Sequence, residues 1–380
     1  MDVLYLGSHD FYDFIWFRPQ QIASRLSRNH RVLYVEPTRA MKWRRPRKWN
    51  RLMRHNENLH IHSPVVVPGI RYSKRLRKLN QRLLGRHIRS LLELLDMKPE
   101  VCIISTPFMG EFAKRFGEKV TVYDCNDDWS SIPGLPSDFL TEEENRLMGS
   151  ADLVFVTSNE LYRKKKHLNP NTRLLPSGTD VELFSRCIED RLKMPQDVSA
   201  LPRPIIGTVG SFNNTKDDLA LLDGIAEARP DWSLVLVGPV MEDANLEKYS
   251  ALKQHAHFLG KKAHSELPEY IKAFDVCLLA YKKNGFTRSV NPTKVFEYLS
   301  AGKPVVATPL DDILHLRSVV SFAERPDEFV KAIEDYLEEG ECAETICKRV
   351  EASRHFSWDV IVGEFEQRID ERLRVSRQGF

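Results

Sequence analysis

Lys294 and Glu297, a lysine and a glutamate three residues apart, have the spacing that most directly suggests ligand chemistry in this sequence. Asn291 is a good N-cap residue and Pro292 suits the first helical position, so a helix is predicted to begin at Pro292. The first-turn amides, including that of Thr293, would lack intrahelical acceptors and carry the positive end of the helix dipole. With Lys294 they would form a phosphate site, and Glu297, one turn deeper, can accept hydrogen bonds from two ribose hydroxyls.

The same residues also fit an ordinary capped helix with a surface ion pair, a contact worth only about 0.2–0.5 kcal/mol. Gly302 and Pro304 are predicted to end this helix, and the β-branched run at residues 303–308 predicts a buried strand directly after it. A helix followed by such a strand is typical of a parallel sheet, whose ligands bind at helix N-termini and strand C-termini.

A cluster of polar side chains follows the apolar strand predicted at residues 119–125. Its members are Asp124, Asn126, Asp127, Asp128 and Trp129. These groups can bind sugar hydroxyls, act as a base or hold a metal ion. The alternative is a turn stabilised by local Asp and Asn hydrogen bonds.

A third group of candidates lies near the N-terminus, where the first predicted strand stops at Gly7. His9 and Arg18 follow in the predicted loop above the sheet, and a glycine at the strand end lets a ligand or another backbone approach closely. Arg18 is interpreted either as a ligand-facing cation or as a surface residue. The dinucleotide-binding fingerprint G-x-G-x-x-G is absent from this loop.

Three predicted strands in the second half of the chain also end in glycine, at Gly210, Gly238 and Gly260. Lys216 lies six residues after Gly210, in the loop or the first turn of the next helix. The repetition suggests a sheet edge that is kept open for a ligand, with Gly210 and Lys216 on the donor side of the site.

Alternating strand and helix patterns position all these residues and predict an α/β fold with two domains. A length of 380 residues exceeds one ordinary core. An irregular, proline-containing segment at about residues 187–204 is the expected linker. The predicted domains are residues 1–186 together with a returning C-terminal helix at 357–380, and residues 187–356.

The composition, with 42% hydrophobic, 29% charged and 9% aromatic residues, is that of a soluble globular protein. No apolar run reaches the length of a membrane span, and Asp2, His9 and Asp10 interrupt any signal peptide, so a cytoplasmic location is expected. The six cysteines show no CxxC pair, which argues against a zinc site or a disulfide framework.

The segment from Arg39 to Arg89 is strongly basic, with sixteen Lys or Arg residues and Glu57 as its one acid. Apolar side chains are interleaved with these charges, among them Trp43, Trp49, Leu52, Met53, Ile70, Leu76, Leu79, Leu83 and Leu84. Such amphipathic segments lie on anionic membrane surfaces, so the segment is interpreted as a membrane-surface contact. A solvated face and a nucleic-acid surface are the alternatives, and no nucleic-acid motif is visible.

Several of these segments together resemble the GT-B glycosyltransferases, and the second half resembles family 4 of the retaining enzymes. The matching stretches are LLPSGTDVELF, IIGTVGSF with Lys216, LVLVGP, HFLGKKAHSELPEYIKAFDVCLL, NPTKVFEYLSAGKPVVAT and the terminal FSW. Arg18-Pro19-Gln20 and the acidic strand end at residues 123–128 resemble a subgroup near the teichuronic-acid and exopolysaccharide transferases. The resemblance implies two Rossmann-like domains facing across a cleft, with the C-terminal helix returning to the first domain.

The resemblance also implies roles for individual residues. The family carries two glutamates eight residues apart. Glu297 matches the second, which binds the ribose of the donor, whereas Ser289 stands in place of the first. An arginine that usually follows the glycine of the first loop of the second domain is replaced by Ser211, while the family's lysine is retained as Lys216.

The expected activity is transfer of a sugar, with retention at the anomeric carbon, from a nucleoside-diphosphate sugar to a glycan or lipid-linked acceptor in cell-surface polysaccharide synthesis. Asp127, Asp128 and Lys294 are the candidate catalytic residues. No metal or other cofactor is expected, although the acidic cluster leaves a divalent ion open. The chain is expected at the inner face of the plasma membrane, bound through residues 39–89. A nucleotide-sugar 2-epimerase and a non-catalytic scaffold that binds nucleotide sugars are the alternative functions.

Overall fold

The computed structural model describes residues 1–12, 16–37, 39–40, 51–66, 74–132 and 134–378. Trp43, Trp49 and Ile70 of the basic segment lie outside these ranges. The chain divides into two compact units, Met1–Pro176 with Ile361–Phe380, and Ser177–Val360. The division falls ten residues before the expected position at 186/187, because the helix that follows Pro176 buries Phe184 in the core of the second unit.

The first unit is built on parallel strands. Its described strands are β1 (Asp2–Leu6), β2 (Arg31–Val35), β3 (Arg39–Ala40), β4 (Arg51–Arg54), β5 (Leu59–Ser63), β6 (Val65–Val66), β7 (Val101–Ile104), β8 (Val120–Cys125), β9 (Leu153–Val156) and β10 (Thr172–Leu174). Its helices are α1 (Arg18–Leu26), α2 (Lys74–Leu94), α3 (Ser137–Ser150) and α4 (Asn159–Lys165). Eight strands form one sheet in the order β10-β9-β8-β7-β1-β2-β5-β4, and β3 pairs separately with β6. Among these pairs, β4 with β5 is antiparallel.

The central strands of this sheet are buried along their whole length, as expected where helices cover both faces. Helix α2 contributes Leu84, Ile88, Leu91 and Leu92 to the core, which also contains residues of β1, β2, β7, β8 and β9. The near-continuous apolar runs of the sequence therefore correspond to strands that are covered on both sides.

The second unit contains a six-stranded parallel sheet. Its elements are α5 (Val181–Ser185), α6 (Gln196–Ser199), β11 (Ile205–Val209), α7 (Leu219–Ala228), β12 (Ser233–Val237), α8 (Ser250–His255), β13 (Ala256–Gly260), α9 (Leu267–Ala273), β14 (Val276–Leu279), α10 (Thr293–Ser300), β15 (Val305–Ala307), β16 (Ser321–Phe322), α11 (Pro326–Glu339) and α12 (Ala343–Arg354). The strand order is β13-β12-β11-β14-β15-β16, so the chain reverses direction across the sheet between β11 and β14. Open sheets of this kind bind ligands at that reversal, outside the carboxyl ends of the strands.

In the second unit, residues 177–180 of the Pro-Ser-Gly-Thr-Asp loop contact the FSW motif at residues 356–358, which is far from them in the sequence. The amide of Thr179 donates to the Phe356 carbonyl at 2.7 Å, and the Trp358 amide donates back to the Thr179 carbonyl at 3.0 Å. A Cβ atom at Gly178 would lie 2.9 Å from the Trp358 ring, so this position requires glycine for the close approach. The Pro-Ser-Gly-Thr-Asp loop and the terminal FSW motif are therefore one packed feature.

The last described element is α13 (Trp358–Gln378), and residues 361 onward belong to the first unit. Phe365 of this helix stacks on Phe155 of β9 with 4.5 Å between ring centroids. The predicted return of the C-terminal helix to the first domain is confirmed. Among the described residues, none of the helices combines the length and apolar character needed to cross a membrane.

Candidate functional site

The reversal point of the second sheet is lined by tightly packed glycines. Gly210 follows β11, and its amide donates to the Val237 carbonyl at 3.0 Å. Gly238 follows β12 with a φ of 139°, and a Cβ there would lie 1.6 Å from the Gly210 carbonyl oxygen. Only glycine fits this contact, and the two backbones leave the carboxyl edge of the sheet free of side chains at both positions.

Lys216 lies at this edge and contacts residues on both sides of the reversal. Its Nζ is 2.7 Å from Asp217 Oδ1 and 4.4 Å from the centre of the Tyr281 ring, which follows β14. It also lies 3.9 Å from the point that a Gly210 Cβ would occupy. Burial acts to lower the pKa of Lys216, but Tyr281 and Asp217 outweigh it and the pKa is raised. The ammonium therefore stays charged, as binding of a phosphate would require.

Helix α10 begins one residue later than predicted. Its first residue is Thr293, and Pro292 rather than Asn291 occupies the N-cap position, with no side-chain capping bond. Asn291 Oδ1 accepts a hydrogen bond from the Ser177 amide at 3.3 Å instead. The prediction of Asn291 as N-cap was wrong, because the side chain is engaged by a loop 114 residues away in sequence.

The predicted end of α10 is confirmed. Gly302 has a φ of 74°, and the Lys303 amide donates to the Tyr298 carbonyl at 3.0 Å, which is the bond that closes many helix C-termini. The helix is also fixed to the sheet, since the Val209 amide at the end of β11 donates to Tyr298 Oη at 2.8 Å.

Lys294 and Glu297 form the predicted pair, with Nζ 2.8 Å from Oε2. The Glu297 side chain is 9% exposed and that of Lys294 is 21% exposed, so the carboxylate is the deeper of the two groups. This geometry suits the ligand interpretation, in which the cation faces outward, and equally suits a simple ion pair.

His264 is a member of this group that the sequence reasoning did not select. It is partly buried and packs edge-on against Phe184 at 5.5 Å. Burial lowers its pKa, Lys294 lowers it further, and Glu297 and Asp180 oppose the change, so the imidazole lies among these three charges. Its position in the HFLGKKAHSEL stretch was the available signal, since a histidine shortly after a strand end faces the ligand edge of such sheets.

Ser289, which stands where the resembling family has its first glutamate, is 3% exposed. Its Oγ has no hydrogen-bond partner among the residues that the structure describes. A buried hydroxyl without a partner is uncommon and indicates a place where a ligand or water completes the bond.

The acidic cluster of the first unit follows β8, at the carboxyl end of that strand, and its two candidate catalytic residues differ. Asp128 pairs with Lys164 at 2.9 Å and accepts from Ser130 Oγ at 3.1 Å. Burial acts to raise its pKa, but Lys164 outweighs burial and the pKa is lowered. The Asp127 carboxylate has no hydrogen-bond or ion-pair partner within the described residues, and burial, with repulsion from Asp128, raises its pKa to about 6. Asp127 is therefore the free carboxylate, and Asp128 the structural one.

Two further polar atoms beside Asp127 also lack partners in the described part of the chain. They are Asn126 Oδ1 and Trp129 Nε1, and both are buried. An acceptor, a donor and a free carboxylate within four residues match what a hydroxylated ligand would need. Among the residues described, no group of three or more His, Cys, Asp and Glu side chains is arranged to hold a metal ion.

Arg18 is the first residue of α1 and is not a surface residue. It is 4% exposed, and its guanidinium contacts the carboxylate of Asp124, which is fully buried, at 2.8 Å. It also donates to the Pro176 carbonyl at 2.7 Å. The surface interpretation was therefore wrong. Arg18 Nη2 has no partner among the described residues, and the ligand-facing interpretation stays a prediction.

Gly7 and His9 lie against one tyrosine. A Cβ at Gly7 would be 2.2 Å from Tyr34 Oη, and that hydroxyl donates to the His9 carbonyl at 2.7 Å. The His9 ring stacks on Phe17 at 4.2 Å. The close approach that Gly7 permits is therefore made by the Tyr34 ring.

Residues 203–339, which lie in the second unit, match the family described as glycosyl transferases group 1. A Bacillus subtilis (strain 168) protein named as a teichuronic acid biosynthesis glycosyltransferase is 28% identical over an alignment of 236 positions that covers 57% of this chain. The match spans only 58% of the length of that relative.

Solved structures show the fold of the whole chain. Sucrose-phosphate synthase from Thermosynechococcus elongatus superposes with a TM-score of 0.73 at 16% identity, covering 98% of this chain and 99% of the other. The Anabaena protein HepE in complex with UDP and glucose gives a TM-score of 0.68 at 16% identity, covering 97% and 99%. The predicted GT-B fold is confirmed.

Proposed function

We propose that this chain is a glycosyltransferase that moves a sugar from a nucleoside-diphosphate sugar to a glycan or lipid-linked acceptor, with retention at the anomeric carbon. The observation that carries the proposal is the placement of Lys216 at the reversal of the second sheet and of Lys294 in the first turn of α10, above the buried Glu297. These groups lie in the domain that matches glycosyl transferases group 1.

Each group in the second unit has a role in this proposal. Glu297 accepts hydrogen bonds from the ribose hydroxyls, while Lys216, Lys294 and the first-turn amides of α10 hold the diphosphate. UDP is the first nucleotide to test, because the similar Anabaena structure contains UDP and glucose. His264 is a further donor-side candidate, since it lies near both Lys294 and Glu297.

In the proposed reaction the bond between the anomeric carbon and the phosphate oxygen breaks, and a bond to the acceptor oxygen forms on the same face. The nucleoside diphosphate leaves with the bonding electron pair, and the acceptor proton passes to its phosphate oxygen. The lysines and helix amides stabilise the charge that develops on the diphosphate. Because they neutralise this charge, the proposal requires no metal ion and no covalent enzyme intermediate.

In the first unit we assign the acceptor to the Asp127 region. Asp127 would orient the acceptor hydroxyl, with Asn126 and Trp129 supplying an acceptor and a donor for other hydroxyl groups. Asp128 would support this loop through its bond to Lys164.

The similarity to a protein named as a teichuronic acid biosynthesis glycosyltransferase supports an acceptor in cell-surface polysaccharide synthesis. Within the described part of the basic segment, α2 exposes Arg75, Lys78, Arg82, Arg86 and Arg89. A helix face of this charge is attracted to anionic lipids. We therefore propose peripheral association with an anionic membrane surface.

Binding of nucleotide sugars without turnover is the second candidate. Ser289 and Ser211 replace the glutamate and arginine that the resembling family uses toward the donor, and the buried Ser289 hydroxyl has no partner in the described residues. A transferase releases free nucleotide when an acceptor is present, whereas a non-catalytic binding protein releases none.

Thermal unfolding with UDP, GDP, ADP, TDP and CMP tests the donor site. A ligand at about 100 times its Kd stabilises the folded state by about 2.7 kcal/mol, so the right nucleotide should raise the midpoint by roughly 5 °C or more. Glu297→Ala and Lys294→Ala should abolish that increase. Lys331→Ala is the matched control, because Lys331 forms an exposed ion pair with Asp335 on α11 of the same unit.

A shift that Glu297→Ala and Lys294→Ala lose and Lys331→Ala keeps would support the donor site and identify the nucleotide. If none of the nucleotides shifts the midpoint, or if the three variants respond alike, the assignment of Lys294 and Glu297 is wrong.

A further inference from the structure

A small cavity lies in the first unit between α2 and the short helix at Pro107–Phe112 with the turn that follows it. Its volume is about 110 Å³, well below the roughly 300–1,000 Å³ of pockets that hold whole drug-sized ligands. The cavity has the size for one small group rather than for a nucleotide sugar. Its main lining residues are Arg82, Arg86, Arg89, Arg115, Phe112 and Phe116.

Four arginine side chains line this cavity, and no acidic residue does. In the described chain Arg82, Arg86 and Arg115 form no ion pair, while Arg89 donates to the Arg115 carbonyl at 3.5 Å. Glu111 is the acidic residue that interacts with Arg115, and its pKa is raised to about 7, chiefly by burial. The positive charge around the cavity is thus largely uncompensated near neutral pH.

The floor of the cavity is apolar and closely packed. Phe112 is 1% exposed, and a Cβ at Gly85 would lie 3.2 Å from its ring. The glycine therefore lets α2 approach Phe112, which brings the arginines of α2 near Arg115. A planar guanidinium presents paired donors that match phosphate oxygens, and four around one cavity suit a phosphate group better than a single carboxylate.

Exposed leucines lie beside the arginines on the same helix. Leu79 is 46% exposed and Leu83 is 45% exposed, four residues apart and each three residues before a cavity arginine. Helix residues three and four apart share a face, so the apolar pair and the basic cavity form one surface. Basic helices with exposed apolar side chains lie in the boundary between lipid headgroups and acyl chains.

We propose that this cavity binds the phosphate of an anionic membrane lipid, with Leu79 and Leu83 at the headgroup boundary. The inference rests on the membrane association proposed above and adds a defined site to it: four arginines hold one phosphate, rather than only raising the charge of a face. A free phosphate has the same chemistry but makes no use of the exposed leucines.

Vesicle co-sedimentation of the full chain tests the proposal. Phosphatidylcholine vesicles with and without phosphatidylglycerol are compared for wild type, Arg82→Gln/Arg86→Gln and the control Arg75→Gln/Lys78→Gln. Both double variants remove two charges from exposed positions on α2, but Arg75 and Lys78 do not line the cavity. In both double variants, the weaker general attraction to the anionic surface should reduce vesicle binding about fivefold for each removed charge. Loss of charge-assisted bonds to phosphate should weaken the cavity variant at least about tenfold more.

Equal losses in the two double variants would overturn the phosphate site and leave general attraction in place. If the wild-type chain does not bind phosphatidylglycerol vesicles at low salt, both the phosphate site and the general attraction to anionic membranes are wrong. Inorganic phosphate that raises the unfolding midpoint through these arginines, without vesicle binding, would show that the cavity takes free phosphate and overturn the lipid assignment. If the chain binds a single-stranded RNA through these arginines more tightly than it binds vesicles, the lipid assignment is also wrong.

The response of each variant to UDP separates this result from the donor site, which lies in the second unit. A variant that keeps its nucleotide shift and the wild-type circular dichroism spectrum is folded in both units, so its vesicle binding tests the cavity alone. Leu79→Ser/Leu83→Ser should weaken vesicle binding about tenfold while leaving any response to inorganic phosphate unchanged. Unchanged vesicle binding in that variant would overturn the proposed orientation on the lipid surface.

Discussion

Arg18 Nε donates to both carboxylate oxygens of Asp124, at 2.8 and 3.1 Å, and both side chains are buried. Tyr5 Oη adds a bond to the same carboxylate at 3.3 Å, and Arg18 also donates to the carbonyl of Pro176, the last residue before the chain enters the second unit. The pair thereby joins β1, α1, β8 and this point of the chain. Its function is to fix the edge of the sheet on which Asp127 lies.

Asp124→Asn should destabilise the first unit strongly, because it leaves the buried guanidinium without its counter-charge. Breaking a buried pair in this way costs about 3–5 kcal/mol, which should lower the thermal midpoint by roughly 10 °C. Circular dichroism during heating measures the change.

Glu142→Gln is the matched control for Asp124→Asn. Glu142 pairs with Arg146 at 3.3 Å, but both side chains are more than half exposed, so the loss should stay below about 1 kcal/mol. If the two variants unfold at the same temperature, the buried pair does not stabilise the unit as inferred.

Features that depend on neighbouring residues could be read from the sequence. The apolar strands, the glycines that end them, the Lys294–Glu297 pair and the end of α10 at Gly302 all arise from residues within a few positions of each other. Side-chain partners brought together by folding could not be predicted in the same way. Arg18 and Asp124 are 106 residues apart, and Asn291 and Ser177 are 114 apart.

The acidic cluster at residues 124–129 also contains a difference that depends on a partner distant in the sequence. Asp127 and Asp128 are adjacent and chemically identical in the sequence, and both were selected as candidates. Lys164, 36 residues after Asp128, pairs with Asp128 and not with Asp127, which leaves Asp127 as the carboxylate with a raised pKa. The distinction depends on how β8 and α4 pack, which no local pattern contains.

Activity should depend on an ionisation near pH 6 if Asp127 acts as a carboxylate. The pKa of Asp127 is raised to about 6, so the charged form accumulates as the pH rises through that value. In the proposed reaction, kcat/KM should therefore increase from pH 5 to pH 7 and then level off. Asp127→Asn should lower kcat/KM by about 10- to 100-fold, the loss of a hydrogen bond from the acceptor to a charged group, and abolish this dependence.

Asp128→Asn provides the comparison for Asp127→Asn. Its main effect should be on stability, through loss of the bond to Lys164. The ionisation of Asp127 should persist but move to lower pH, because repulsion from Asp128 contributes to its raised pKa. A pH profile that stays intact in Asp127→Asn would exclude Asp127 as the titrating group.

Gly178→Ala should destabilise the second unit, since an added Cβ would lie 2.9 Å from the Trp358 ring and 3.0 Å from the Phe356 carbonyl. Overpacking of this kind costs about 1–3 kcal/mol. Gly149→Ala, in α3 of the first unit, is the control, because no atom lies within 4 Å of its Cβ position. The control should be neutral or stabilising by up to about 1 kcal/mol. Equal thermal midpoints for the two variants would contradict the close packing of the loop against the FSW motif.

His62 should make the first unit less stable in mild acid. The side chain is buried on β5, its ring lies 4.7 Å from that of His87, and neither ring nitrogen of His62 has a partner among the described residues. Burial, with repulsion from His87, lowers its pKa to about 4. The neutral form is therefore favoured in the folded state, and the unfolded chain binds more protons between about pH 4 and 6.5.

Stability contributed by neutral His62 should thus be complete above about pH 6.5 and decrease as the pH falls, by about 2 kcal/mol between pH 7 and pH 5. Urea unfolding followed by circular dichroism at both pH values measures this difference. His62→Leu should remove most of it, because leucine carries no proton in either state, whereas the exposed His167→Leu should keep the wild-type dependence. A wild-type pH dependence that survives unchanged in His62→Leu would show that another group causes the acid sensitivity.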